Sequence, residues 1–98
     1  MATATSTLEK TKIKITTTNK YKVIMHNDDT TSFSIVIEIL KEVFKYSEEE
    51  ANAIALAIHK SGKKKVGEYS KSIAISKANK AMRMASEHGY NEFKVTVE

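Results

Sequence analysis

The stretch Tyr21-Lys22-Val23-Ile24-Met25-His26-Asn27-Asp28-Asp29, with Phe33, Val36, Ile37, Leu40, Val43 and Phe44 behind it, decides the fold. Its first part alternates basic and apolar side chains before turning wholly apolar, the pattern of a strand with Tyr21, Val23 and Met25 on one face. Asn27-Asp28-Asp29 ends that strand, because short polar side chains of this kind bond to their own backbone and favour turns. The apolar series that follows has the spacing of a helix with one buried face and predicts a helix running to about Lys45. A strand that feeds directly into an amphipathic helix places the chain in a mixed class.

Working outward towards the C-terminus, Ser47-Glu48-Glu49-Glu50 is a capping box, in which Ser47 accepts from the Glu50 amide and the Glu50 side chain reaches back. It predicts a second helix bearing Ala51, Ile54, Ala55 and Ile58, ended by Ser61-Gly62. Lys63 to Tyr69 reads as a short basic or edge strand around Val66. A third helix, capped by Ser70 or Ser72, carries Ile73, Ala74, Ala78, Ala81, Met82 and Ala85 and closes at His88-Gly89. Phe93, Val95 and Val97 alternate in a last strand. The expected architecture is α+β, three helices on one face of a three-stranded, mainly antiparallel sheet in the order β-α-α-β-α-β. Alanines at contact positions allow close helix approach.

Residues 1–19 contain seven threonines, no aromatic residue and, after the initiator, only Leu8, Ile13 and Ile15 as large apolar residues, which predicts a flexible extension before a core domain of residues 20–98. Of the formal charge of +4, residues 1–20 carry +3, from four lysines against Glu9, so the rest of the chain is nearly neutral. The 98 residues hold one small core, and with no Cys there is no disulfide framework, thiolate metal site or thiol nucleophile. No run approaches the length of a membrane span or a secretory signal, which makes the cytoplasm the expected compartment and a plastid a lesser alternative.

Varied polar chemistry is concentrated in His26, Asn27, Asp28 and Asp29 at the first turn and in His59 near the end of the second helix. Taken alone, Asn-Asp-Asp before a helix also reads as a plain turn, and His59 as a partner of the helix dipole. Adjacent aspartates in an extended chain face opposite ways, and there is no HExxH, Gly-rich phosphate loop or nucleophile elbow, so no enzyme is expected. No cofactor is called for. Lys60, Lys63, Lys64, Lys65 and Lys71 against Glu68 make a local basic stripe, but with Tyr69 alone for stacking, RNA binding is a minor alternative.

Taken in order, Tyr21-Lys22-Val23-Ile24, Asn27-Asp28-Asp29, Thr31, Phe44-Lys45-Tyr46 and Ala57-Ile58-His59 with Ser61-Gly62-Lys63 resemble the ClpS adaptor family from about Lys20 to Glu98. The resemblance implies a non-enzymatic adaptor that binds N-degrons, proteins with a bulky apolar first residue, and passes them to a ClpA or ClpC unfoldase. It implies that Asn27, Asp29 and His59 accept from the free α-amine, with Asp28 alongside. It implies a side-chain pocket walled by Met25, Thr31, Phe33, Val36, Ala55 and Phe93, and an unfoldase contact at Lys77. The extension would be drawn into the unfoldase during delivery. A homologue that modulates the unfoldase without binding N-degrons is the alternative.

Four positions depart from the family pattern: Ser32 replaces a proline, Phe33 and Ala55 replace methionines, and Ser72 replaces an acidic residue. The expected consequence is a pocket deeper beneath Ala55 and narrower at Phe33.

Overall fold

The computed structural model describes residues 20–98. The sequence-predicted extension, residues 1–19, lies outside the described residues. Strand β1 (Tyr21–His26) buries Val23 and Met25 completely, as its alternation requires. Helices α1 (Phe33–Glu42) and α2 (Glu48–Ser61) follow, then β2 (Lys63–Tyr69), α3 (Lys71–Glu87) and β3 (Val95–Val97). The sheet order is β2-β1-β3, with β1 in the middle and antiparallel to both neighbours. The α+β architecture therefore stands as expected, and the sheet is antiparallel throughout.

Both halves of the capping box at the start of α2 are formed: Glu50 N–H donates to Ser47 Oγ (3.1 Å) and Ser47 N–H to Glu50 Oε1 (3.0 Å). At the other end Gly62, at φ 92°, donates its amide to the Ile58 carbonyl (2.9 Å), a left-handed cap that only glycine adopts without strain. Ala74, Ala78, Ala81 and Ala85 are all buried on α3, so this helix presents a seam of methyl groups and can lie close to the sheet.

Two boundaries differ from expectation. Helix α1 ends at Glu42 rather than near Lys45, although Val43 and Phe44 are buried. The chain keeps filling the core after it has left the helix, with Lys45 at φ 64° and the Tyr46 amide bonded back to the Leu40 carbonyl (3.1 Å). Apolar periodicity reports burial and cannot separate these states. Of the two caps expected for α3, Ser70 is the one used, without a side-chain hydrogen bond. Phe93 is buried but precedes the strand, whose pairing starts at Val95.

A register shift in β2 opposite Val23 and Ile24 leaves Val66 without a partner across the ladder. Its carbonyl accepts instead from the Tyr46 hydroxyl (2.7 Å), tying the α1–α2 connection to β2. Lys77 on α3 secures the same region: its ammonium donates to the Val43 carbonyl (2.8 Å) and lies 6.0 and 5.2 Å from the ring centroids of Phe44 and Tyr69. Among the described residues no helix is long and apolar enough to cross a membrane.

The Tyr46→Phe substitution removes one hydroxyl and leaves the half-buried Val66 carbonyl without its donor. It should lower stability by about 1–2 kcal/mol. The expected readout is a lower urea midpoint at an unchanged slope; an unchanged midpoint contradicts a structural role for this bond.

Candidate functional site

The turn after β1 is joined to the end of α2 by one backbone hydrogen bond, from Asn27 N–H to the Gly62 carbonyl (2.8 Å). Residues 35 positions apart in sequence thereby become neighbours, and His59, on the last turn of α2, faces the polar turn. Ser61, whose hydroxyl donates to the Ala57 carbonyl (2.7 Å), further ties down this helix end.

Within the turn the two aspartates play different parts. The Asp28 carboxylate accepts from the Thr31 hydroxyl in a short bond and from the Thr30 hydroxyl (3.0 Å), and the Thr31 amide reaches the Asp28 carbonyl (3.3 Å). The Thr31 hydroxyl is the main reason that Asp28 is held below the usual carboxylate range, with Thr30 adding to it and burial opposing it. Asp28 is thus a fixed anion whose oxygens are already engaged. Among the described residues no hydrogen bond engages the side chains of Asn27, Asp29 or His59. Ser32 caps α1 by accepting from the Ile35 amide (3.3 Å), and its φ of −68° is the value that a proline would impose.

A cavity of about 180 Å³ opens beside this turn. Its apolar wall consists of Phe33 and Val36 from α1, Ala55 and Ile58 from α2, and Phe93 ahead of β3. Its polar side consists of His26, Asn27, Asp28, Asp29, Thr31 and His59. Phe33 stands at the mouth, 42% exposed, whereas Ala55, Ile58 and Phe93 are buried.

Nine of the residues singled out from the sequence for this site line that one cavity. Met25 is the exception. Strand alternation turns it to the helix side, where it is fully buried in the core, and it takes no part in the cavity lining. Lys77 lies elsewhere, beside a shallow hollow bordered by Ser72, Ile73, Ser76 and Lys80, with its ammonium turned towards α1. Sequence reasoning missed Ile58 and His26 as lining residues. Ile58 could have been found from its place three residues after Ala55 on the same helix, since such positions share a face. His26 was legible as a member of the polar cluster at the first turn but was given no part in the site, and its imidazole is 2.9 Å from the Thr96 hydroxyl.

Chemically, the site offers hydrogen-bond acceptors and negative charge above an apolar hole. Among the described residues no group of His, Asp and Glu side chains is disposed to hold a metal ion.

Comparison with known proteins gives a consistent picture. Residues 16–96 match the family described as ClpS, ATP-dependent Clp protease adaptor protein ClpS. The ClpS adapter of Nautilia profundicola is 42% identical over 86 residues, covering 88% of this chain and 89% of that protein. The one from Clostridium acetobutylicum is 42% identical over 81 residues, covering 83% and 80%. A structure of Agrobacterium tumefaciens ClpS2 bound to L-phenylalaninamide superimposes with a TM-score of 0.78 at 32% identity, covering 82% of this chain and 95% of that one.

Because the Thr31 hydroxyl chiefly lowers the Asp28 pKa, Thr31→Val should move the Asp28 titration upward, towards the ordinary value of about 4. A carboxylate with a lowered folded-state pKa contributes stability above its unfolded pKa and loses it as pH falls through the folded one. The wild-type turn should therefore hold below about pH 4, and the variant should loosen at a higher pH. NMR titration of the Asp28 side chain reads this directly, and an unmoved titration contradicts it.

Proposed function

The chain belongs to the ClpS family of Clp protease adaptors, which are not enzymes, and from that premise we propose that its cavity captures the first residue of N-degron substrates. The observation that carries the proposal is the pairing, in one cavity, of three acceptor side chains with an apolar hole sized for one side chain. A free α-amine is a cation with three donors. Asn27 Oδ1, the Asp29 carboxylate and a neutral His59 ring nitrogen supply the acceptors it needs, while Asp28, occupied by its threonines, supplies negative potential.

Size supports the same reading. A dry cavity of about 150 Å³ is enough to hold benzene, so about 180 Å³ suits a benzyl or isobutyl side chain. Full burial of such a side chain contributes about 1.5–3 kcal/mol. A charge-assisted hydrogen bond to the amine contributes about as much. After the cost of association, micromolar affinity follows, suitable for a carrier that must release its load. L-phenylalaninamide, bound by the Agrobacterium relative, has this chemistry: a free amine, a benzyl group and an amide in place of the next peptide bond. The large Phe33 ring and the single methyl group of Ala55 in the cavity lining support a preference for Phe, Tyr, Trp or Leu over β-branched residues.

Delivery completes the proposal: a ClpA- or ClpC-type unfoldase in the cytoplasm receives the substrate. In this proposal its contact lies on α3 around Lys77. With the Lys77 ammonium engaged at Val43 and the adjacent Ile73 49% exposed, Ser72, Ile73, Ser76 and Lys80 form the surface such a partner would meet. Residues 1–19 serve in the hand-over.

A labelled peptide panel differing only at residue one, with N-acetylated twins, tests recognition. Phe- and Leu-initiated peptides should bind at micromolar Kd, their acetylated twins and Ala- or Val-initiated peptides at least about tenfold more weakly, and His59→Ala should weaken the first group similarly. Binding should also fall as pH rises past about 8, where a free α-amine loses its charge. Equal binding of Ala-, Val- and Phe-initiated peptides overturns the proposed specificity. If no peptide binds yet the unfoldase is modulated, the alternative of a modulating homologue takes its place.

A truncated chain beginning at Lys20 should bind Phe-initiated peptide normally and fail to deliver it to the unfoldase in a degradation assay. Full delivery by the truncated form contradicts the hand-over role.

A further inference from the structure

The three helices cover one face of the sheet, and the residues that alternate with the core ones point to the other face. Residues directly opposite on neighbouring strands stand side by side there. At the far end from the cavity the charges are matched. Lys22 lies opposite Glu68 and exchanges both backbone hydrogen bonds with Glu98 (2.9 and 2.8 Å), and Lys65 pairs with Glu68 at 2.6 Å.

At the cavity end they are not. His26 lies opposite Lys63 on one side, and its amide bonds to the Lys94 carbonyl (3.1 Å) on the other, giving a row of Lys63, His26 and Lys94 that contains no acid. Both lysines are exposed, and neither is in an ion pair among the described residues. Their charges converge on His26: after burial, Lys94 and then Lys63 push its pKa below the ordinary value, each more strongly than Glu98 raises it. His26 also lines the cavity, so the unmatched row meets the cavity at its middle member.

On the reading of the cavity given above, on which this rests, we infer that Lys63 and Lys94 form a second specificity element, which binds acidic side chains directly behind the first residue of the substrate. Two interstrand spacings separate the lysines, about 10 Å, the length of about three residues of extended chain. Residues 2 to 4 of the substrate are therefore the ones that the row meets. The amine then faces Asn27, Asp29 and His59 while the acids that follow it face the ammonium groups, so opposite charges at the two ends fix the direction of the bound chain. An acid held instead over Asp28 and Asp29 would be repelled, so the sign of the preference is itself diagnostic.

The test uses anisotropy of the full chain with two labelled peptides, both beginning with Phe, one carrying Glu and the other Gln at residues 2 to 4. The Glu peptide should bind about threefold to tenfold more tightly at low salt, the size of one or two solvent-screened ion pairs. That ratio should approach one in 0.5 M salt. In the Lys63→Gln/Lys94→Gln variant the ratio should vanish while the Gln peptide binds as before. Equal binding of the two peptides by the wild type, a preference for Gln, or a ratio that survives in the variant overturns the inference. So does equal binding of the acetylated Glu peptide or of an oligonucleotide of like charge, either of which marks a general polyanion surface. Loss of binding to both free-amine peptides would overturn the cavity reading and this inference with it.

Discussion

The hydrogen bond from the Asn27 amide to the Gly62 carbonyl is the constraint on which the site depends. It closes the gap between the turn after β1 and the end of α2, two segments with no reason in local sequence to meet. Gly62 can offer its carbonyl there because its left-handed conformation ends the helix and turns the chain into β2. That bond extends the β1–β2 ladder, in which His26 stands opposite Lys63, and so brings the acceptors Asn27 and Asp29 beside the imidazole of His59. With it they share the rim of one cavity.

Beneath that rim, Ala55 contributes only a single methyl group where α2 passes the cavity, and Phe33, Val36, Ile58 and Phe93 form the rest of the apolar wall. The opposite end of α1 is secured independently. Lys77 donates to the Val43 carbonyl just past its last residue, against the Phe44 and Tyr69 rings, and Tyr46 satisfies the bulge in β2. Rigid support at both ends of α1 holds Phe33 and Val36 in place, a requirement for recognising one side chain by shape.

Most of this was legible from local chemistry. The alternation of Tyr21 to His26, the Ser47–Glu50 box and the glycine at 62 each carry their structure within a few residues, and all three form as expected. What could not be read depends on tertiary context. Val43 and Phe44 keep the helical spacing of apolar residues while lying outside the helix, so the end of α1 was placed too late. The resemblance implies Met25 in the pocket wall, but Met25 is fully buried in the core and does not line the cavity. The engagement of Lys77 at the Val43 carbonyl could not be read locally, because that acceptor is 34 residues away. Charge carried a similar lesson: the lysine stripe left RNA binding as a minor alternative, yet acceptors and fixed negative charge line the cavity, and the unmatched cations stand in a row beside it.

The central claim is that one cavity, between the first turn and the end of α2, binds a free amine and its side chain together. The most direct measurement is an NMR titration of the ¹⁵N-labelled chain with L-phenylalaninamide. Shift changes concentrated at Asn27, Asp29, Phe33, Ala55 and His59, with none around Lys77, are the expected result. Changes centred on the Lys77 hollow, or spread evenly over the surface, would contradict the account.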